Sequence, residues 1–155
     1  MQITRDFSLW ELYRSEYAQK NRIDNEPSEE VIENLCNLAC EILQPLRRML
    51  GVPIYVTSGY RCKTLNDRVG GAKKSQHLVG QAVDIKCQSQ ADTERLWQLI
   101  RENVSRETLP IGQAINEFGL KWIHVSMKTE EHQYELLASA EKGNKVVYVS
   151  MPKCQ

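Results

Sequence analysis

The chain has 155 residues, 20 lysines and arginines balanced by 20 aspartates and glutamates, and a hydrophobic fraction of 41%. That is enough for one domain, 1–155, able to bury a core without disulfide staples. A net charge of zero argues against a nucleic-acid binder, which carries a basic stripe or excess. No apolar run approaches the roughly 20 residues that cross a bilayer, so membrane insertion is not expected.

In chain order, Ser8-Leu9-Trp10-Glu11 has the pattern of a capping box and predicts a helix start, with Leu9, Leu12 and Tyr13 toward the core. Asn25-Glu26-Pro27-Ser28 punctuates the chain. A longer helix is predicted from Glu29 to Leu50, because Val31, Leu35, Leu38, Ile42 and Leu46 recur at helical steps. Pro45 should kink or divide it. Residues 1–50 thus form a helical part.

Ile54-Tyr55-Val56-Thr57 has the branched and aromatic content of a strand. Ser58-Gly59-Tyr60-Arg61 ends it, and 62–76 is polar, with Gly70-Gly71, so a loop is expected. Gln81 to Lys86 predicts a second strand. Its alternation puts Asp84 on the face opposite Val83 and Ile85. Ala91 to about Asn103 is an amphipathic helix carrying Leu96, Trp97, Leu99 and Ile100. Gln113–Asn116 and Trp122–Ser126 are two further strands, and residues 51–127 form the central part. In the extension 128–155, Tyr134–Ala138 is either strand or helix, and Val146–Val149 predicts a last strand that pairs at a sheet edge or covers the cleft. Helices first and strands later suggest an α+β fold, N-terminal helices on a mostly antiparallel sheet.

Five cysteines, an odd number, together with an N-terminus lacking the basic start and apolar run of a signal peptide, predict free thiols in a reducing compartment. The expectation is synthesis in the cytoplasm and release by another route, such as lysis of the host cell. Cys36 and Cys40, four apart, are expected as small residues of a helix core rather than metal ligands.

The chemistry concentrates in Ser75-Gln76-His77-Leu78-Val79-Gly80-Gln81-Ala82-Val83-Asp84. A histidine and a carboxylate seven apart are joined through a glycine turn into a strand, a path that can bring both to one point. A second histidine, His124, lies on a later strand. Two histidines and a carboxylate, with a fourth position open to water, is a catalytic zinc pattern. Each residue alone is more often structural. A ligand histidine also needs an acceptor for its other ring nitrogen, which this sequence does not reveal.

Ser58-Gly59-Tyr60-Arg61, Asn66, Gly71, Ser75-x-His77-x-x-Gly80-x-Ala82-x-Asp84 and Trp122-x-His124-x-Ser126 together resemble the zinc D-Ala-D-Ala carboxypeptidases and their phage endolysin relatives, of hedgehog/DD-peptidase fold. The resemblance is nearest to the short phage and prophage type and runs from about Phe7 to Met127. It implies a zinc peptidase with His77, Asp84 and His124 as metal ligands. Its substrate would be the peptidoglycan stem peptide, cut as a D-Ala-D-Ala carboxypeptidase or an L-Ala-D-Glu endopeptidase would cut it. Arg61 matches the family arginine that meets the substrate or its developing charge, a role that suits a planar, always-charged guanidinium. Ser75 and Gln76 are expected to hydrogen-bond substrate or to shape the loop.

Many members carry an acid three residues before the last histidine, where this chain has Lys121. The nearest upstream acid, Glu117, is the candidate general base. The departure keeps a second possibility open, a weakly active or inactive zinc module that binds cell-wall peptide or protein. His132, in a polar stretch, is expected to be exposed. Neither the oligomeric state nor the bond cut follows from these residues.

Overall fold

The computed structural model describes residues 1–155. Its helical part differs at the start from the expected helix. Ser8 gives both its N–H and its hydroxyl to the Glu11 carboxylate, at 2.8 and 2.6 Å. With the hydroxyl used as a donor, Ser8 does not cap an α-helix, and only a 3-10 turn forms at Trp10–Leu12. Leu12 is nonetheless fully buried, with Leu9 and Tyr13 packed beside it. A short helix α1, Glu16–Lys20, follows, capped by Ser15.

The predicted helix from 29 to 50 is α2 (Glu29–Leu38), a π turn (Ala39–Leu43) and α3 (Gln44–Leu50). Ser28 caps α2. Pro45 lacks an N–H and sits in the first turn of α3, where none is needed. Immediately before it, the Gln44 N–H reaches back five residues to the Ala39 carbonyl. Gly51, at φ 80°, ends the run. Leu35, Leu38, Ala39, Ile42, Leu43 and Leu46 are fully buried. Cys36 is only half-buried and Cys40 exposed, against expectation. Each follows a core residue by one position, which turns it roughly 100° from the buried stripe. All five cysteines are free thiols.

The six strands are β1 (Tyr55–Ser58), β2 (Ala82–Lys86), β3 (Ile111–Glu117), β4 (Trp122–Met127), β5 (Glu135–Lys142) and β6 (Lys145–Ser150). They form one sheet in the order β1-β2-β4-β3-β5-β6. Every neighbouring pair is antiparallel except β3 with β5. The fold is therefore α+β with a mostly antiparallel sheet, as the order of elements predicted. The Tyr134–Ala138 ambiguity resolves as strand, and β6 closes one edge.

Residues 62–76 are not a loop throughout. Lys63–Arg68 form a helix, α4, capped by the Cys62 thiol at 3.4 Å from Leu65 N and braced by Lys63 against Asp67 at 2.7 Å. The remaining helix, α5 (Gln90–Arg106), is capped by Ser89 and sends Leu96, Trp97, Ile100 and Val104 into the core.

The sheet is two-faced. Val83 and Ile85 of β2 and Ile123 and Val125 of β4 join the buried cluster with α2, α3 and α5. On the opposite face lie the residues between them, and that face carries Asp84 and His124. No helix is long and apolar enough to cross a membrane.

Candidate metal centre

Cross-strand register brings the two halves of the pattern together. Asp84 of β2 stands directly opposite His124 of β4, and Ser58 of β1 opposite Asp84 on its other side. A bulge between Val56 and Ser58 sets that last pairing. His77 comes from a 3-10 turn, Gln76–Val79, whose first turn is capped by Ser75 Oγ, 3.2 Å from His77 N. The turn ends at Gly80, φ +71°, where a Cβ would also press on Val31 of α2 at 2.9 Å.

The resulting geometry is tight. His77 Nε2 lies 3.3 Å and His124 Nδ1 3.2 Å from Asp84 Oδ1. The two rings meet edge-on with centroids 5.1 Å apart. One ligand atom from each residue falls within 4.8 Å of the others, a group able to hold a metal ion. His77 is buried, and Asp84 and His124 are nearly so.

The acceptor missing from the sequence is the Gly59 carbonyl. His77 Nδ1 donates to it at 2.8 Å, which leaves the Nε2 lone pair free toward Asp84. Gly59 must be glycine for a steric reason, since a Cβ there would lie 1.9 Å from the Leu12 carbonyl oxygen. Two imidazoles and a carboxylate, converging at the floor of an open cleft, match a three-ligand zinc set with one position left over.

Burial works to raise the Asp84 carboxyl, but the imidazoles of His77 and His124 hold it well below the usual carboxylate range. Arg61 Nη1 stands 3.9 Å from Asp84 Oδ2 and donates to Ser58 Oγ at 3.0 Å, while its Nε donates to Asn66 Oδ1 at 3.2 Å. Burial lowers the Arg61 pKa and Asp84 draws it back up. Asn66 is fully buried and spends its amide on the Ala72 carbonyl at 3.0 Å. Gly71 abuts it so closely that a Cβ would sit 2.0 Å from Asn66 Oδ1. Asn66 and Gly71 therefore form a bracket for Arg61. Asn25, which pattern reading passed over, ties three segments together: it donates to the Tyr13 and Tyr60 carbonyls and accepts from Cys62 N at 2.7 Å. Only its position in a punctuated polar stretch hinted at a structural task.

A cleft of about 660 Å³ opens over this group, lined among others by Arg61, Gln76, Gln113, Glu117, Phe118 and Tyr148. Glu117 ends β3, next to the row containing His124, and is buried. Its Oε2 is shielded from solvent and has no hydrogen-bond partner within the protein. Burial pushes its carboxyl up, with the Ser139 hydroxyl, His124 and Tyr148 pulling down against it. The β3–β4 turn behind it runs through three successive left-handed residues, Phe118, Gly119 and Leu120 (φ 49°, 69° and 63°). Asn116 Oδ1 holds Leu120 N at 2.8 Å and Ser139 Oγ holds Phe118 N at 2.7 Å. Two non-glycine residues in that region are strained, a cost of about 1–2 kcal/mol each, and these side-chain contacts maintain it.

Lys121 is exposed on the outside of the turn and takes no part in the cleft. Ser75 caps the turn, and Gln76 lies on the cleft wall with a long contact to the Met127 carbonyl at 3.5 Å. His132 differs from expectation. It is half-buried on the cleft rim, 3.3 Å from the Glu135 carboxylate, because the extension folds back as β5 beside β3.

Over 49 residues the chain is 45% identical to a zinc D-Ala-D-Ala carboxypeptidase of Streptomyces albus G, a stretch that makes up 31% of this chain and 19% of that protein. The chain thus matches about a fifth of that relative's length. The family model for Peptidase M15 matches residues 5–126, which hold every residue of the metal group and the bracket around Arg61. The chain belongs to the Peptidase M15 family.

Proposed function

We propose that this chain is a zinc peptidase that hydrolyses peptide bonds in the stem peptides of bacterial peptidoglycan. The observation that carries the proposal is the meeting of His77 Nε2, His124 Nδ1 and Asp84 at the base of a cleft that also contains a buried, unpartnered carboxylate. Family membership and the partial likeness to a zinc D-Ala-D-Ala carboxypeptidase support the substrate class.

His77, Asp84 and His124 would hold a zinc ion, which would supply the Lewis-acid chemistry that makes water nucleophilic near neutral pH. Glu117 takes the proton from the attacking water and delivers it to the leaving amine, a general-base and then general-acid role. Its raised pKa suits both halves of that cycle, since a base near the working pH also returns its proton readily. Arg61 meets the negative charge of the substrate, either a terminal carboxylate or the oxygen that becomes anionic as the carbonyl is attacked. Ser58 and Asn66 fix its fork. Gln76 offers an amide to the peptide backbone along one wall.

The test is metal analysis paired with digestion of purified peptidoglycan, scored for both released D-Ala and cleaved L-Ala–D-Glu. Wild type should hold zinc and release product. Glu117→Gln should keep its zinc and lose about 10²–10⁴-fold in rate. Bound zinc with no product from the wild type would instead support a non-catalytic binding module.

A further inference from the structure

Residues 127–155 lie beyond the span matched by the family, yet they build a wall of the cleft. The parallel pairing of β5 with β3 sets Asn116 against Ala138, so Glu117 falls beside Ser139. The antiparallel pairing of β6 with β5 then sets Ser139 against Tyr148. Glu117, Ser139 and Tyr148 thus form one row across three strands, on the face that holds Asp84 and His124. The Ser139 hydroxyl is engaged with the Phe118 N–H and the Asn116 carbonyl. Tyr148 is 54% exposed at the sheet edge, but lines the cleft. The Tyr148 side chain and the Glu117 carboxylate line the same cleft.

We infer that Tyr148 is a positioning residue, its phenol O–H donating to the Glu117 carboxylate and fixing that group's orientation over the metal centre. The inference deepens the peptidase proposal and rests on it for the catalytic consequence. Consistent with the contact, the Tyr148 phenol is pushed up, by burial first and by Glu117 next, and Tyr148 in turn lowers Glu117. The groups facing Glu117 are His124 and Asp84 from the metal group, Ser139 from β5 and Tyr148 from β6. Of these, the Ser139 hydroxyl is engaged with backbone and His124 Nδ1 faces Asp84, while the Tyr148 phenol has no other partner. The C-terminal hairpin is then part of the active site rather than an appendage.

The test is Tyr148→Phe, which keeps the ring and removes the donor. A hydrogen bond to a charged group is worth roughly a factor of 10 to 100. The variant's kcat should fall by that factor while KM, zinc content and Tm stay at wild-type values. An unchanged kcat would overturn the inference. So would a rise in KM alone, which would mean that the phenol meets substrate, or a fall in zinc content or Tm matching the loss of rate, which would mean that it is structural. A second readout needs no turnover: carbon-13 NMR of the Glu117 carboxyl in metal-free protein. Its titration midpoint should move up in Tyr148→Phe, because the lost donor stabilised the charged form. A midpoint that does not move refutes the contact even if the wild type cuts nothing. A midpoint that moves in a protein that cuts nothing keeps the contact and rejects the peptidase function.

Discussion

Replacing Gly59 with alanine tests whether the backbone around the metal group matters as the geometry requires. A Cβ at this position would lie 1.9 Å from the Leu12 carbonyl oxygen and 2.6 Å from its carbon. Carbon and oxygen need about 3.3 Å, so the two segments must part by about 1.4 Å. Neither side can yield by a side-chain rotation, because both are backbone. The Leu12 carbonyl also accepts the Tyr60 N–H at 2.7 Å, and Gly59 O holds His77 Nδ1 at 2.8 Å. Forcing them apart carries the overpacking cost of about 1–3 kcal/mol, a Tm lower by several degrees in a chain of this size. Loss of the histidine's carbonyl partner should weaken zinc binding about 10–100-fold. Competition against a chelator of known affinity measures the second effect and scanning calorimetry the first. Wild-type zinc affinity in Gly59→Ala would refute the assignment of the Gly59 carbonyl as the group that fixes the His77 tautomer. An unchanged Tm would refute the steric reasoning.

Other outcomes follow from the same geometry. Burial raises the Glu117 pKa in the metal-free protein, so its carboxyl should titrate there above the ordinary glutamate value of about 4.3, as carbon-13 NMR would show; a midpoint at or below that value would mean that burial does not govern this group. Asp84 has the opposite sign. Its folded pKa is depressed, so its contribution to stability is present above the unfolded aspartate value of about 3.9 and is lost as pH falls through the folded one. Urea unfolding of metal-free protein should show wild type and Asp84→Asn differing most near neutrality and converging in acid, whereas a constant gap would contradict this. Asn66→Ala should cost about 1–3 kcal/mol for the orphaned buried partners and raise KM more than it lowers kcat, since Arg61 loses one of two anchors; peptide-release kinetics at wild-type KM would show that the bracket is dispensable.

The metal group was legible because its information is local. A separation of seven from His77 to Asp84, with a left-handed glycine between them, set one half, and strand alternation turned Asp84 away from Val83 and Ile85; His124 came from the later strand and the family resemblance, and only the β2–β4 register brings it opposite Asp84. Much of what supports it was not legible. The Gly59 carbonyl and the Asn25 clamp act on backbone atoms, which carry no residue-type signal. Helix α4 passed for loop because it has six mostly polar residues and a thiol for a cap. The capping-box pattern at Ser8 misled for the converse reason: the right residues bond to each other instead of to the helix backbone. Cys36 and Cys40 went astray because a four-residue spacing gives a shared face but not which face. Glu117 came from proximity in sequence to an exposed Lys121, and only the register of β3 with β4 and the buried state of the carboxyl bring it to the cleft. The place of β5 and β6 was open because the β3–β5 pairing is parallel and joins segments that no hairpin links.

X-ray absorption at the zinc edge of the metal-loaded protein examines the three-residue ligand set most directly. Two imidazole nitrogens and carboxylate or water oxygens at about 2.0–2.2 Å, with no sulfur, is the expected shell. A sulfur scatterer near 2.3 Å would mean that the free cysteines hold the ion and that His77, Asp84 and His124 do not.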